Sequence, residues 1–433
     1  MHPIFRIGCR AVQLVFRAAL PILPYRQPHP LKSTDDIAPL LRRKKIHSIL
    51  LVADAGVRSL GLTAQLEQSL LREHIVFAVY EQKTPNPTID DVETACVQYQ
   101  LTNAKAIVAV GGGSAIDCAK VVGARIARPK KPVERMRGLL RVLRPTPLLI
   151  AVPTTAGTGS ETTLAAVITD AKTHHKYPIN DFALIPDYAV LDAQLTLDLP
   201  PRLTATTGMD ALTHAVEAYI GRSTTRFTRG MAETAVRLIA ENLRAAYTDG
   251  SNLRARENML RASYCAGIAF TRSYVGYVHG VAHALGGQYG VAHGLANAVI
   301  LPRMLRHYGS SCTKKLAALA HKADIVLQNV PDEEAAEAFI RWIEDLNRSF
   351  GLPASFPIIR EEDVPLLAAH AASECNPLYP VPKLMDRHEL EHICRLLMED
   401  PHERTVHSKH RRRSARILRR GRNAVLRRPK DCA

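Results

Sequence analysis

The sequence predicts an α/β domain followed by an all-helical domain, and the hydrophobic patterns of the two halves carry that prediction. From about residue 46 to 196, short apolar runs alternate with helical stretches, which is typical of a mostly parallel, doubly wound sheet. From about residue 197 onward, helical periodicity dominates. The chain has 433 residues, long enough for two or three domains of roughly 100–200 residues each. It divides into a lead-in helix, an α/β domain, a helical domain and a tail that we expect to be disordered, at residues 1–33, 34–196, 197–399 and 400–433.

The positive charge is confined to three segments. The chain carries +16 overall, of which residues 402–433 hold +10, residues 125–144 hold +7 and residues 1–33 hold +5. The rest of the chain is therefore mildly acidic, at about −6. This distribution disfavours a nucleic-acid-binding core and leaves open a contact of the basic termini with a polyanion or a membrane surface.

Residues 1–24 have the pattern of an amphipathic helix. Four polar side chains share one narrow stripe, and apolar side chains occupy the rest of the surface. The stripe consists of Arg6, Arg10, Gln13 and Arg17. A signal peptide would place its charges before the apolar region and not through it. The segment is therefore either a helix packed on the body or an interfacial membrane helix.

Cysteine spacing and hydropathy exclude several classes of protein. The eight cysteines never form a CxxC, which argues against a zinc ribbon, a thioredoxin-like dithiol and a disulfide framework. No apolar stretch reaches the ~20 residues that a membrane-spanning helix needs. We therefore expect a cytoplasmic protein without a membrane span.

The first half contains four candidate strands and two clear candidate helices. The strands are predicted at Ile49–Ala53, His74–Tyr80, Ala106–Val110 and Pro147–Val152, and the helices at Leu60–Glu73 and Ile89–Leu101. Ligands of such sheets bind at the carboxyl ends of the strands. The residues that follow each strand are therefore the first candidates for a binding site.

A glycine-rich turn follows the third candidate strand. Gly112, Gly113 and Ser114 open a helical stretch, so backbone N–H groups and the positive end of the helix are available to a phosphate. Asp117, one turn later, is expected to cap the helix or to touch a ligand. An ordinary tight turn is the alternative.

A second polar loop, residues 153–161, follows the fourth candidate strand. Its Thr154, Thr155 and Thr158 offer hydroxyl and backbone donors suited to a pyrophosphate or an amide. Asp54, at the end of the first strand, is placed to accept from ribose hydroxyls, which favours NAD over NADP, although Arg58 nearby weakens that preference.

Metal-ligating residue types cluster in the helical half. Asp210 and His214 are spaced i, i+4, as are His279 and His283, and His293 follows. One aspartate and three histidines of this set are able to close around a divalent cation. Core histidines with satisfied partners are the alternative. Glu217, one turn beyond His214, is a candidate supporting partner.

These motifs together resemble the iron-containing (group III) alcohol dehydrogenases over about residues 46–399. The glycine turn with Asp117 is similar to that family's GGGSxxD loop, the threonine loop to its PTTxGTGSE loop, and Asn86 to the asparagine of its PNP segment. The resemblance implies an N-terminal Rossmann-like domain and a helical C-terminal domain, the dehydroquinate synthase-like fold, with the active site between them. It also implies a homodimer or a larger homo-oligomer.

The resemblance assigns roles to individual residues. It implies that the metal ligands are Asp210, His214, His279 and His293, that His283 is a non-ligand catalytic histidine beside the substrate, and that Lys176 reaches the cofactor. The implied activity is reversible oxidation of an alcohol to an aldehyde or ketone with NAD, dependent on Fe²⁺ or on Zn²⁺. A dehydroquinate synthase-like lyase and a polyanion- or membrane-surface-binding protein are the alternatives.

Overall fold

The computed structural model describes residues 1–83, 86–170 and 175–399, with backbone alone at positions 175 and 176. Within these ranges, the predicted order of an α/β domain followed by a helical domain is confirmed. The basic tail, 400–433, and the side chain of Lys176 lie outside the described structure.

A six-stranded parallel sheet forms the centre of the first domain. Its strands are β1 (His29–Leu31), β2 (Ser48–Asp54), β3 (Val76–Gln82), β4 (Ala106–Gly111), β6 (Leu148–Pro153) and β9 (Tyr188–Val190). The strand order is β1-β9-β6-β4-β2-β3, and every neighbouring pair runs parallel. The central strands consist of apolar residues that are buried on both faces, as expected for a sheet covered by helices. Because β1 pairs with β9, the sheet begins before residue 34, the predicted start of this domain.

The helices of this domain lie between the strands, and two boundaries differ from the prediction. The segment predicted as one helix, Leu60–Glu73, is helical only over Ala64–Arg72, because the four residues before it form a turn in which Gly61 has a left-handed φ of +70°. The strand predicted from His74 begins at Val76, since His74 itself has a φ of +53°. The helices are α2 (Ile37–Arg43), α3 (Ala55–Ser59), α4 (Ala64–Arg72), α5 (Ile89–Leu101) and α6 (Gly113–Ala127).

A second, smaller sheet that the sequence did not indicate anchors the basic segment 125–144. Its order is β5-β8-β7, from Gly138–Leu139, His175–Asn180 and Ala165–Asp170. The backbone N–H groups of Val142 and Leu143 both donate to Asp181, at 2.9 and 3.0 Å. The segment is therefore an ordered part of the first domain.

Nine helices follow in the described part of the second domain and share one apolar core. They are α7 (Pro201–Ile220), α8 (Arg226–Thr248), α9 (Leu253–Ser273), α10 (Tyr277–Tyr289), α11 (His293–Tyr308), α12 (Thr313–Lys322), α13 (Asp332–Ser349), α14 (Val364–Cys375) and α15 (Arg387–Met398). Helix α7 is buried along almost its whole length, which places its polar residues inside the domain.

The predicted lead-in helix is present as α1, Pro3–Ala19. It is shorter than predicted, since Pro21 lacks the backbone N–H that would continue the helix. The helix packs on the second domain through Arg10 and Gln13 of its polar stripe, which donate to backbone carbonyl groups there, whereas Arg6 and Arg17 are exposed. The buried side chains of α1 are Cys9 and Gln13.

Two further expectations concern the described residues as a whole. None of their helices is both long enough and apolar enough to cross a bilayer. Seven of the eight cysteines lie within the described ranges, and each of them is buried and free.

Candidate active site

The predicted binding loops meet at the carboxyl edge of the sheet. Gly111 at the end of β4 pairs in register with Pro153 at the end of β6, so the glycine turn and the threonine loop are neighbours. The N–H of Thr154 donates to the carbonyl of Gly111 at 3.0 Å. Asn86 lies on the connection after β3, at the same edge.

The glycine turn lets the two loops approach each other closely. A Cβ at Gly113 would lie 2.9 Å from Cγ2 and Oγ1 of Thr158. Gly112 is the N-cap of α6 and supplies no side-chain cap to the first N–H groups of that helix. An uncapped helix N-terminus of this kind suits an anionic group. The predicted contact of the glycine turn with a phosphate stays a prediction.

Asp54 has a structural contact that the sequence analysis missed. Its Oδ1 caps α3 by accepting from the N–H of Val57 at 2.8 Å, while Oδ2 would lie 2.7 Å from a Cβ at Gly111. The carboxylate therefore lies beside the glycine turn. Its predicted contact with a ribose stays a prediction.

A buried lysine fixes the threonine loop to α6, and the sequence analysis did not identify it. The Nζ of Lys120 donates to Ser160 Oγ and Thr163 Oγ1, both at 2.9 Å, and to the carbonyl of Ala165 at 2.8 Å. Ser160 in turn donates to Asp117 Oδ1 at 2.6 Å. Burial lowers the pKa of Lys120 to about 8. Its position one turn after Asp117 was the available signal.

Asp117 therefore helps to hold the threonine loop in place. Its second oxygen accepts from the N–H of Val167 at 2.9 Å, so both carboxylate oxygens have protein donors. Neither of these two contacts caps α6, which was one of the two roles expected of Asp117. The predicted contact of Asp117 with the cofactor stays a prediction.

The threonine loop also contacts the helical domain. A Cβ at Gly157 would lie 2.6 Å from Cβ of Thr207 on α7, and a Cβ at Gly159 would lie 2.8 Å from Cα of Gly267 on α9. Gly159 further needs glycine because its φ is +64°. The loop is thus held between the two domains. Its contact residue on α7, Thr207, precedes Asp210 by three residues.

The four predicted metal ligands come together in the helical domain. Each contributes one ligand atom, and these atoms all lie within 4.8 Å of one another; the residues are Asp210, His214, His279 and His293. Helix α7 supplies the first two, α10 the third and the first turn of α11 the fourth. The i, i+4 spacing on α7 places its two ligands on one face.

Asn297 marks the point on which three of these ligand atoms converge. Its Nδ2 lies 2.7 Å from Asp210 Oδ1, 3.1 Å from His293 Nε2 and 3.2 Å from His279 Nε2. Electron pairs directed at one point are the arrangement that a divalent cation requires, so the residues fit such an ion. Asn297 follows His293 by four residues, and this spacing was the signal for it.

The electrostatics of the cluster favour neutral imidazoles. Burial lowers the pKa of His214 and lowers that of His279 well below its ordinary value. The ring of His214 stacks on Phe270, with centroids 4.1 Å apart. Neutral imidazole is the form that binds metals.

Glu217 supports the cluster as the sequence predicted. Its Oε2 lies 2.6 Å from His279 Nδ1 and 2.8 Å from the N–H of Gly276, and its Oε1 accepts from the N–H of Val278 at 2.9 Å. Burial raises the pKa of Glu217 to about 7, in opposition to these donors. A carboxylate that accepts from Nδ1 leaves Nε2 of His279 free for a metal.

His283 lies beside the cluster and outside the group of four. Its ring stacks on His293 with centroids 5.2 Å apart, and its side chain is 43% exposed. Its Nδ1 lies 2.7 Å from Oε1 of Glu374, which also accepts from the hydroxyl of Tyr379 at 2.8 Å. Burial opposes the charged form of His283, but the Glu374 carboxylate outweighs it and raises the pKa of His283.

Comparison with known proteins identifies the fold and its family. Residues 31–193 match the iron-containing alcohol dehydrogenases, and residues 204–398 match the C-terminal part of the Fe-containing alcohol dehydrogenase family. The chain belongs to the iron-containing alcohol dehydrogenase family. The family expected from the motifs is thereby confirmed.

Individual relatives are similar to this chain over most of its length. A 1,3-propanediol dehydrogenase from Klebsiella pneumoniae is 37% identical, over 84% of this chain and 94% of that protein. An NAD-dependent methanol dehydrogenase from Bacillus methanolicus is 36% identical, over 74% of this chain and 85% of that protein. Among solved structures, a 1,3-propanediol oxidoreductase is 34% identical with a TM-score of 0.82, over 86% of this chain and 98% of that chain.

Proposed function

We propose that this protein is an NAD-dependent alcohol dehydrogenase that catalyses reversible hydride transfer between an alcohol and NAD, yielding an aldehyde or a ketone. The observation that carries the proposal is the convergence of four ligand atoms within 4.8 Å, next to a loop that reaches the carboxyl edge of a parallel sheet. The two sites are joined by the contact of Gly157 with Thr207. A cofactor at the sheet edge and a metal in the cluster would therefore face one cleft.

The metal would be held by Asp210, His214, His279 and His293. A bound divalent cation supplies Lewis acidity, which lowers the pKa of a hydroxyl group that it contacts. Glu217 holds the tautomer of His279, and His283, exposed beside the cluster and paired with Glu374, is the group placed to pass a proton to solvent. Imidazole and carboxylate suit Fe²⁺ and Zn²⁺ alike; we propose Fe²⁺ as the natural metal.

The dinucleotide would lie along the carboxyl edge of the sheet. Gly112, Gly113 and Ser114 would hold its phosphates at the N-terminus of α6, and Thr154, Thr155 and Thr158 would line the nicotinamide. Asp54 and Asn86 follow neighbouring strands at the same edge and complete the proposed cofactor set with Asp117 and Lys176.

The substrate class follows the names of the relatives. Two of them are named for 1,3-propanediol and methanol, and a third, from Escherichia coli, for the reduction of lactaldehyde. We therefore propose a small primary alcohol or diol as the substrate. A dehydroquinate synthase-like lyase is not favoured, because these relatives are dehydrogenases and a reductase.

A panel assay tests the proposed reaction. The chain is loaded with Fe²⁺ or with Zn²⁺, and NADH absorbance is followed with primary alcohols, diols and hydroxy acids; NADP in place of NAD tests the dinucleotide preference. We expect NAD reduction with at least one small alcohol, and more of it with Fe²⁺. Absence of NAD reduction with every alcohol and both metals would contradict the proposal.

Assembly, location and the tail stay predictions. A homodimer or larger homo-oligomer and a cytoplasmic location are expected, and sedimentation velocity and cell fractionation test them. Deletion of residues 400–433 is expected to leave alcohol oxidation intact and to abolish any binding of polyanions, because residues 402–433 carry twelve Lys or Arg against two acids.

A further inference from the structure

We propose that α1 binds an anionic lipid surface through the apolar face that it turns away from the protein. The orientation of the helix is fixed by polar contacts on its inner side. Gln13 Nε2 donates to the carbonyl of Tyr379 at 2.8 Å, and Arg10 Nη1 donates to the carbonyl of Val381 at 2.8 Å. Gln13 is only 4% exposed. The outer side therefore consists of the apolar residues.

The outward face is apolar along the whole helix. Ile4, Ile7, Leu14 and Val15 are 74%, 70%, 66% and 69% exposed. A helical period of 3.6 residues places these four on one side. A Cβ at Gly8, on the flank of that side, would meet nothing within 4 Å. Large apolar side chains aligned on one exposed helix face are typical of an interaction surface.

The charge around this face selects the partner. Helix α1 contains no acidic residue, and neither does the rest of residues 1–33. Arg10 is bound to the carbonyl groups of Val381 and Pro382, which leaves Arg6 and Arg17, both exposed, as the helix cations beside the apolar face. Anionic headgroups complement this arrangement. A second copy of the chain would bring the same cations against one another. Charge therefore favours a lipid surface over self-association.

The dimensions of α1 define how it would lie. Its 17 residues span ~25 Å as a helix, and it is not among the helices able to cross a bilayer. It would rest in the plane of the headgroups, with its apolar face buried by ~5–10 Å.

Helix α1 also lies outside the part of the chain that the family shares. The match to the N-terminal part of the family begins at residue 31, after the end of α1. The helix is therefore an addition to the catalytic body. A surface-binding role accounts for an added helix whose apolar side faces outward.

Vesicle flotation of the full, metal-loaded chain tests the proposal. The vesicles contain phosphatidylcholine alone or mixed with phosphatidylglycerol. The α1 variant is Ile7→Gln/Leu14→Gln/Val15→Gln, and the matched control is Leu60→Gln/Leu71→Gln/Leu101→Gln, which removes three leucines that are 64%, 63% and 81% exposed elsewhere. We expect the parent and the control to bind the mixed vesicles and the α1 variant to bind them ~10-fold more weakly or worse. Dehydrogenase activity should be unchanged in all three.

Three results would overturn the proposal. Equal binding by the α1 variant would assign vesicle binding to other segments. A lower mass of that variant in lipid-free sedimentation velocity would show that the face covers a second copy. Finally, Arg6→Gln/Arg17→Gln keeps the apolar face intact and is expected to weaken binding to the mixed vesicles ~10-fold; unchanged binding would remove the case for an anionic surface.

Discussion

The ligand cluster of the helical domain is built from side chains on three helices, whereas the cofactor edge of the α/β domain is built mainly from backbone and glycine. In the cluster, each position depends on a specific imidazole or carboxylate, and Glu217 holds one of the imidazoles from behind. At the sheet edge, the position of the threonine loop depends on the close approach of Thr158 to Gly113, which has no side chain. Removal of a side chain should therefore impair the ligand cluster most, and addition of a side chain should impair the cofactor edge most.

The first prediction concerns a ligand. His279→Ala removes one of the four converging atoms and the partner of Glu217, so we expect loss of bound metal and a fall in kcat/KM of ~10³-fold or more. Elemental analysis and NADH turnover measure both. His388→Ala, at a side chain that is 90% exposed, is the matched control. Full metal content in the His279 variant would contradict the ligand assignment.

The second prediction tests the sheet edge by adding a side chain. Gly113→Ala places a methyl group 2.9 Å from Thr158, which forces the threonine loop away from α6. We expect the KM for NAD to rise by ~10- to ~100-fold with metal content unchanged. Gly230→Ala on α8, where a Cβ meets nothing within 4 Å, controls for the change of residue type. An unchanged KM for NAD would separate this loop from cofactor binding.

The third prediction concerns the histidine–glutamate pair beside the ligand cluster. Glu374→Gln keeps the size of the side chain but removes the charge beside His283. We expect turnover to fall ~10-fold while metal content stays intact, and His283→Gln to show the same pattern. Glu362→Gln, at a side chain that is 71% exposed, is the control. Loss of metal from the His283 variant would instead make that histidine a ligand.

The same comparison explains what the sequence could predict. The helical pattern of Ile89–Leu101 predicts α5 at its observed bounds, and the structure shows a capping box of Thr88 and Asp91 at the start of that helix. The ligand pairs were predictable because residues i and i+4 of a helix lie on the same face. Local patterns of this kind can be recognised without knowledge of the tertiary structure.

Features that depend on distant contacts could not be predicted. Glu374 is 91 residues from His283, and no local pattern connects them. The small second sheet pairs β5 with β8 across about forty residues. The orientation of α1 could not be predicted either. Its sequence pattern shows a polar face and an apolar face, but not that Gln13 on the polar face donates to the distant carbonyl of Tyr379.

The last prediction concerns Glu161, at the end of the threonine loop, and has the smallest expected effect. This side chain is 1% exposed, and neither carboxylate oxygen has a hydrogen-bond partner among the described residues. Burial raises the pKa of Glu161 from 4.5 to about 7. The folded state therefore holds a proton that the unfolded state releases, and the stability this contributes at low pH is lost as the pH rises from 4.5 through 7.

Glu161→Gln should remove that loss. Between about pH 5 and about pH 8, the free energy of unfolding of the variant should therefore fall less than that of the parent, by about 2 kcal/mol. Thermal unfolding across this range measures the difference, and Glu257→Gln, at an exposed position on α9, is the control. Parallel curves for parent and variant would show that Glu161 is ionised in the folded protein, with Lys120 as its compensating charge.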